Sequence, residues 1–151
     1  MTAMERDERM KLDNQLCFAI YACSREITKL YRPLLDELDL TYTQYVTMLA
    51  LWEEDNVTVK SLGERLHLDS GTLTPLLKKL EASGLVTRKR DAADERNVLI
   101  GLTEAGAALK ERASEIPEKL FCQSDVTVDE LTAAHMSINA LLRKVQQAPA
   151  R

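Results

Sequence analysis

Leu66-His-Leu-Asp-Ser-Gly-Thr-Leu-Thr-Pro-Leu-Leu-Lys-Lys-Leu80 is the stretch that decides the fold. Leu73, Leu76, Leu77 and Leu80 recur three and four residues apart, the spacing of one buried helical stripe. Ser70, Thr72, Thr74, Lys78 and Lys79 lie opposite that stripe and give the helix a short, polar outer face. Pro75 falls close enough to the helix start to be tolerated, with one backbone donor missing. Upstream, Thr58 can cap a helix from Val59 to Leu66 with Leu62 and Leu66 inward, and His67-Leu-Asp69 supplies the turn between the two helices. Downstream, Gly84 terminates the second helix and the hydrophobic period changes to two. Leu85-Val-Thr-Arg-Lys-Arg90 and Asn97-Val-Leu-Ile-Gly-Leu102 then read as strands, joined by the charged tip Asp91-Ala-Ala-Asp-Glu-Arg96.

Two short helices followed by a charged hairpin have the order of a winged helix-turn-helix, which this reading places in residues 41–102. An opening helix is predicted from Glu8 to Leu38, on the apolar positions Leu12, Leu16, Ala19, Ile20, Cys23, Ile27, Leu30, Leu34 and Leu38. Pro33 is expected to bend it or split off its last turns. Thr41-Tyr-Thr-Gln44 matches a capping box, and Glu53-Glu-Asp-Asn56 is a polar stop behind Tyr45, Met48, Leu49 and Trp52. Thr103 caps a helix predicted to reach about Cys122, with Pro117 disturbing it. A second capping box, Thr127-Val-Asp-Glu130, starts a last helix with Leu131, Ala134, Ile138, Leu141, Leu142 and Val145 on one stripe, and the tail from Gln146 is expected to fray. The expected class is mainly α with a small β-hairpin wing.

Composition bounds the rest. A chain of 151 residues suits one domain, and 45% hydrophobic with 29% charged residues is ordinary for a globular protein. Five glycines and four prolines favour helices over short strands. No apolar run approaches the roughly 18 residues of a membrane span, and Met1-Thr-Ala-Met-Glu-Arg-Asp-Glu-Arg9 lacks the apolar core of a signal peptide. A cytoplasmic protein with no membrane partner is expected. Three widely spaced cysteines are not a disulfide framework, and His67 and His135 do not give zinc-ligand spacing, so neither metal nor cofactor is expected. The net charge of −4 argues against a generic nucleic-acid binder. Its distribution softens that objection: residues 57–102 carry 8 Lys/Arg against 6 Asp/Glu, a local +2, while both flanks are acidic.

The basic middle suits DNA. Hydroxyls of Ser70, Thr72 and Thr74 fit base edges or phosphates, and Lys78 and Lys79 fit phosphates. The hairpin adds Arg88, Lys89, Arg90 and Arg96, and an arginine at a hairpin tip fits the negative potential of a narrow minor groove. Asp94, two residues before Arg96, is placed to hold that guanidinium. The bland alternative is a basic face that is simply solvated.

A resemblance weighs against that alternative. Asp94-Glu-Arg96, then Ile100-Gly-Leu-Thr103 and Gly106, resembles the wing signature of the MarR family of bacterial regulators, and Leu66 to Leu80 resembles that family's recognition-helix segment. The resemblance spans essentially the whole chain. It implies a homodimer with intertwined terminal helices, assigning residues 1–40 and 103–151 mainly to dimerisation. Leu12-Asp-Asn-Gln-Leu-Cys-Phe18 and Tyr21-Ala-Cys-Ser-Arg-Glu26 further resemble the organic hydroperoxide resistance regulators, a branch of that family. That resemblance implies that Cys17 is the peroxide-reactive thiol, that Tyr31 and Tyr42 are phenols hydrogen-bonding it, and that Cys122 is the resolving cysteine of a two-cysteine type. Cys23 lies about 240° around the helix from Cys17 and reads as structural. His67 reads as a solvated or capping residue of the turn. The implied function is a non-enzymatic repressor of a pseudo-palindromic operator in double-stranded DNA, released by organic hydroperoxides. Two alternatives stay open at this point: a MarR-type repressor released by a phenolic or other aromatic ligand, and a thiol peroxidase.

Overall fold

The structure is a computed structural model and describes residues 2–149. The chain divides into two compact units, Met1–Ile116 and Pro117–Arg151. The first unit contains α1 (Ala3–Met10), a 3₁₀ turn (Leu12–Asn14), α2 (Leu16–Asp36), α3 (Tyr42–Glu53), β1 (Val57–Thr58), α4 (Val59–Leu66), α5 (Ser70–Ala82), β2 (Val86–Arg90), β3 (Val98–Leu102) and α6 (Glu104–Ala113). A short α7 (Ile116–Lys119) crosses the boundary, and α8 (Val128–Gln146) forms most of the second unit. Among the described residues no helix is long and apolar enough to cross a membrane.

The winged helix-turn-helix is present, and its starts are fixed by the expected caps. Thr41 and Gln44 cap each other reciprocally at α3, as do Thr127 and Glu130 at α8. Thr58 accepts from the Ser61 amide at α4, and Asp69 accepts from the Thr72 amide at α5. The core sits where the leucine stripe of α5 meets α3 and the sheet. Met48, Leu51, Leu73, Leu77, Leu80 and Ile100 are all 0% exposed. Behind α5, Gly84 adopts φ 77°, a left-handed turn that a side chain would strain, and the chain reverses into β2.

The sheet has one strand more than the hairpin. β2 and β3 pair antiparallel with Arg88 opposite Ile100, and β1 pairs on the other side of β3 with Val57 opposite Ile100. The strand order is β1-β3-β2. A two-residue strand at the foot of a helix leaves no period to detect, so periodicity could not reveal β1.

Two helix predictions need correction, and of the two effects expected of Pro33 the splitting is absent. The opening helix is not continuous from Glu8 to Leu38; it breaks between Met10 and Leu16. Side-chain amides compete for the carbonyls there: Asn14 Nδ2 donates to the Glu8 carbonyl at 2.7 Å and Gln15 Nε2 to the Arg9 carbonyl at 2.6 Å. Pro33, by contrast, does not split α2, which runs on to Asp36. It lies in the last turn, so one ladder bond is lost and little helix remains to be displaced. The helix capped by Thr103 stops at Ala113 rather than at Cys122. Ser114 turns both its amide and its hydroxyl onto the Glu111 carbonyl, and Pro117 has no amide with which to continue the ladder. At the tail, α8 holds through Gln146, and residues 150–151 of the expected fray lie outside the described residues.

The junction of the wing with α6 is tightly closed. A Cβ at Gly106 would stand 2.0 Å from the Leu85 carbonyl oxygen, and the Gly106 carbonyl accepts from Trp52 Nε1 at 2.9 Å. Gly106→Ala is therefore expected to destabilise the protein by about 1–3 kcal/mol through overpacking. Thermal denaturation checks this, and an unchanged melting temperature would show that the junction is slack.

Candidate nucleic-acid interface and thiol site

The buried stripe of α5 turns the opposite face outward. Ser70, Thr72, Lys78 and Lys79 are exposed and Thr74 is half-buried. The first turn is held by Asp69, whose Oδ1 accepts from the Thr72 amide at 2.7 Å. That bond keeps the Asp69 carboxyl below its ordinary range. His67 is the left-handed residue closing α4, with φ 56°, consistent with the capping reading.

An open groove separates the two helices from the hairpin. Ser70, Thr74, Arg88 and Arg96 line it, and the concave surface also carries Lys60, Asn97, Glu64 and Asp69. Arg88 Nε itself is buried and has no hydrogen-bond partner, so this guanidinium can reach the groove only through its terminal nitrogens. Thr72, Lys78, Lys79 and Arg90 belong to the same unit but do not line the groove. Sequence reasoning missed Lys60; the available signal was a lysine two residues after the Thr58 cap, inside the basic middle of the chain.

The hairpin tip is built as expected. Arg96 Nε donates to Asp94 Oδ1 and Arg96 Nη2 to Asp94 Oδ2, both at 3.0 Å, a two-point fork that fixes the guanidinium plane. The pair lowers the Asp94 carboxyl and raises the Arg96 guanidinium. Arg90 Nη1 donates to the Glu95 carbonyl at 2.8 Å, so this guanidinium partly ties the tip together.

The three thiols are all exposed. Cys17 occupies the first turn of α2, next to exposed Leu16, Phe18 and Ile20. Cys23, read as structural, is exposed on α2, whose buried residue is Leu35. Cys122 is not a helix end; it lies in the turn behind α7, its amide donating to the Lys119 carbonyl at 3.3 Å. Among the described residues no cluster of His, Cys, Asp and Glu is arranged to hold a metal ion.

The phenols gather at the other end of α2. Tyr31 packs on Tyr42 with ring centroids 4.9 Å apart and on Tyr45 at 5.7 Å. Cys17 and Tyr31 share one continuous helix and are 14 residues apart, a rise of about 21 Å. A chain therefore does not bring its own Tyr31 to its own Cys17. Tyr21 is the aromatic that follows Cys17 by one turn, on the same face; its hydroxyl accepts from Arg25 Nη1 at 2.8 Å. The i, i+4 spacing was the signal for it.

Burial, then the neighbouring Tyr42 and Tyr45, push the Tyr31 phenol up to about 12. Tyr31 thus stays protonated and able to donate across the physiological range. Because the folded value is raised, the stabilisation is complete below the ordinary phenol range near pH 10 and is lost as pH rises towards about 12. Melting temperature is expected to fall as pH rises from about 10 to about 12, and Tyr31→Phe is expected to flatten part of that fall. Parallel curves for both proteins would show that Tyr31 ionises freely.

Comparison with known proteins gives these features a lineage. Residues 29–113 match the family of the transcriptional regulators SarA/Rot. Over 140 residues the chain is 53% identical to the organic hydroperoxide resistance transcriptional regulator of Bacillus subtilis (strain 168), a match covering 93% of this chain and 95% of that protein. Among solved structures, reduced AbfR bound to DNA aligns with a TM-score of 0.77 at 37% identity, over 95% of this chain and 99% of that one. Disulfide-formed AbfR aligns with a TM-score of 0.64 at 36% identity, over 93% and 99%; AbfR is a protein of Staphylococcus epidermidis. With its three-stranded wing behind a helix-turn-helix, and with a relative more than half identical along nearly its whole length, the chain belongs to the MarR-type transcriptional regulators, in the branch of the organic hydroperoxide resistance regulators.

Proposed function

We propose that the chain is a cytoplasmic homodimeric repressor that holds a pseudo-palindromic operator in double-stranded DNA while Cys17 is reduced and releases it when an organic hydroperoxide oxidises that thiol. The observation that carries this reading is the setting of Cys17: an open thiol in the first turn of α2, among exposed apolar side chains, on the same chain as a basic groove and a forked wing arginine. The names of the relatives support it, since one is a regulator of organic hydroperoxide resistance and another was solved both reduced on DNA and in a disulfide form.

Each half of the dimer reads one half-site. α5 offers Ser70, Thr72 and Thr74 to the major groove with Lys78 and Lys79 on phosphates, while Arg88, Arg90 and Arg96, the last braced by Asp94, serve the hairpin side. The exposed helix faces support a second copy. α8 buries none of its residues, leaving Met136 67%, Ile138 52% and Val145 62% exposed, and α2 leaves Leu16 and Leu30 open. Apolar faces of this extent are covered by a partner in solution.

The chemistry balances in two steps. The Cys17 thiolate attacks the distal peroxide oxygen, the O–O bond breaks, and the alcohol leaves once protonated; Cys17 becomes a sulfenic acid. The Cys122 thiol then displaces the sulfenic hydroxyl as water and forms a disulfide, which a dithiol reductant reverses. Since about 21 Å of helix separates Cys17 from Tyr31 in one chain, the phenols that hydrogen-bond Cys17 belong to the other copy. The bridge to Cys122 likewise joins the two copies.

Two outcomes test this. Arg96→Ala is expected to weaken binding to the pseudo-palindromic operator by about tenfold or more, in the range of one lost groove contact, without changing the circular dichroism; unchanged affinity at matched salt removes Arg96 from the interface. After treatment with cumene hydroperoxide, non-reducing gels are expected to show a covalent dimer in wild type and Cys23→Ser but not in Cys17→Ser or Cys122→Ser. A covalent dimer that survives Cys122→Ser and disappears in Cys23→Ser reverses the assignment of the two thiols.

A further inference from the structure

Asp55 belongs to the polar stretch that ends α3, yet it bonds to a strand 47 residues later. Its Oδ1 accepts from the Leu102 amide at 2.8 Å and from the Asn56 amide at 2.8 Å. The register explains why. β1 pairs Val57 with Ile100 and Thr58 with Leu99, so continuing the same antiparallel ladder sets residue 55 opposite Leu102. Backbone groups along β3 alternate between its neighbours. The Thr103 amide donates to the Leu85 carbonyl on the β2 side, so the Leu102 amide faces the β1 side. The ladder cannot reach it, because Asn56 turns out of the strand at φ 55°. The Asp55 carboxylate stands in for the missing strand carbonyl. A charged acceptor gives the stronger form of such a bond.

Asp55 lies two residues beyond α3, a helix whose Tyr45, Met48 and Leu51 are buried in the core and whose Trp52 donates to the Gly106 carbonyl. One bond to the end of β3 and one to the start of α6 thus fasten both sides of the wing base to a rigid element. We propose that Asp55 is a positioning residue for the wing: by completing the β1 edge of β3 it sets the angle at which the hairpin carries Arg96 to DNA. This rests on the reading of Arg96 as a DNA contact.

The test uses the full-length reduced protein, with operator affinity and amide hydrogen exchange as readouts. Asp55→Ala is expected to speed exchange at Leu102 at least tenfold and to weaken operator binding about tenfold, the scale of one charge-assisted hydrogen bond. Asp55→Asn keeps an acceptor oxygen and is expected to restore both. In the Arg96→Ala background the Asp55→Ala penalty is expected to shrink clearly below its wild-type size, because the Arg96 contact that the mispositioned wing weakens is already gone while Arg88 and Arg90 remain. Penalties that multiply, or an Asp55→Asn variant as weak as Asp55→Ala, overturn the positioning role. Wild-type exchange at Leu102 in Asp55→Ala removes the tether itself. If Arg96→Ala alone leaves affinity unchanged, the DNA role of the wing fails and that of Asp55 fails with it, a result distinct from the other two.

Discussion

The seating of α5 on the core is the constraint on which the rest depends. Leu73, Leu77 and Leu80 are completely buried against a core that includes Met48, Leu51 and Ile100. Each such side chain contributes about 1.5–3 kcal/mol of burial, so rotating the helix about its axis would cost several of these at once. The hydroxyls of Ser70 and Thr72 are therefore displayed by the packing beneath them. The same core carries Val86 and Ile100 of the sheet, so one hydrophobic unit aims both the helix and the hairpin.

The ends of the chain obey a different balance. Unlike α5, α2 spends 21 residues to bury one, Leu35, and α8 spends 19 to bury none. In proteins most helical stability comes from packing of an amphipathic face rather than from propensity. In the proposed dimer that packing comes from the second copy, which puts Cys17 on a surface the two copies share. An oxidation there alters the element that fixes the spacing of two recognition helices rather than the helices themselves. A small covalent change then acts on two half-sites together, which is how a single thiol could govern a repressor.

Much of this was legible from residue order. The leucines of α5, the hydroxyl caps Thr41, Thr58 and Thr127, and the Gly84 stop are local signals whose physics lies within a few residues, and each produced its element. The Asp94–Arg96 fork was readable for the same reason. What stayed hidden was long-range or competitive. The two-residue β1 exists only because β3 lies beside it, and Asp55 finds Leu102 across 47 positions. The break after Met10 arises where Asn14 and Gln15 side chains take backbone carbonyls that a periodic stripe assumes are left to the helix. The distance between Cys17 and the tyrosines likewise emerges only once α2 is known to be unbroken from Leu16 to Asp36.

The central claim is that the oxidation state of Cys17 sets the grip on DNA. Fluorescence anisotropy with a labelled operator duplex measures it directly, on reduced protein, after cumene hydroperoxide, and after subsequent dithiothreitol. Wild type is predicted to bind, to lose affinity on oxidation and to regain it on reduction, while Cys17→Ser binds throughout. Equal release of Cys17→Ser by the peroxide, or wild-type affinity that does not change on oxidation, would contradict the account.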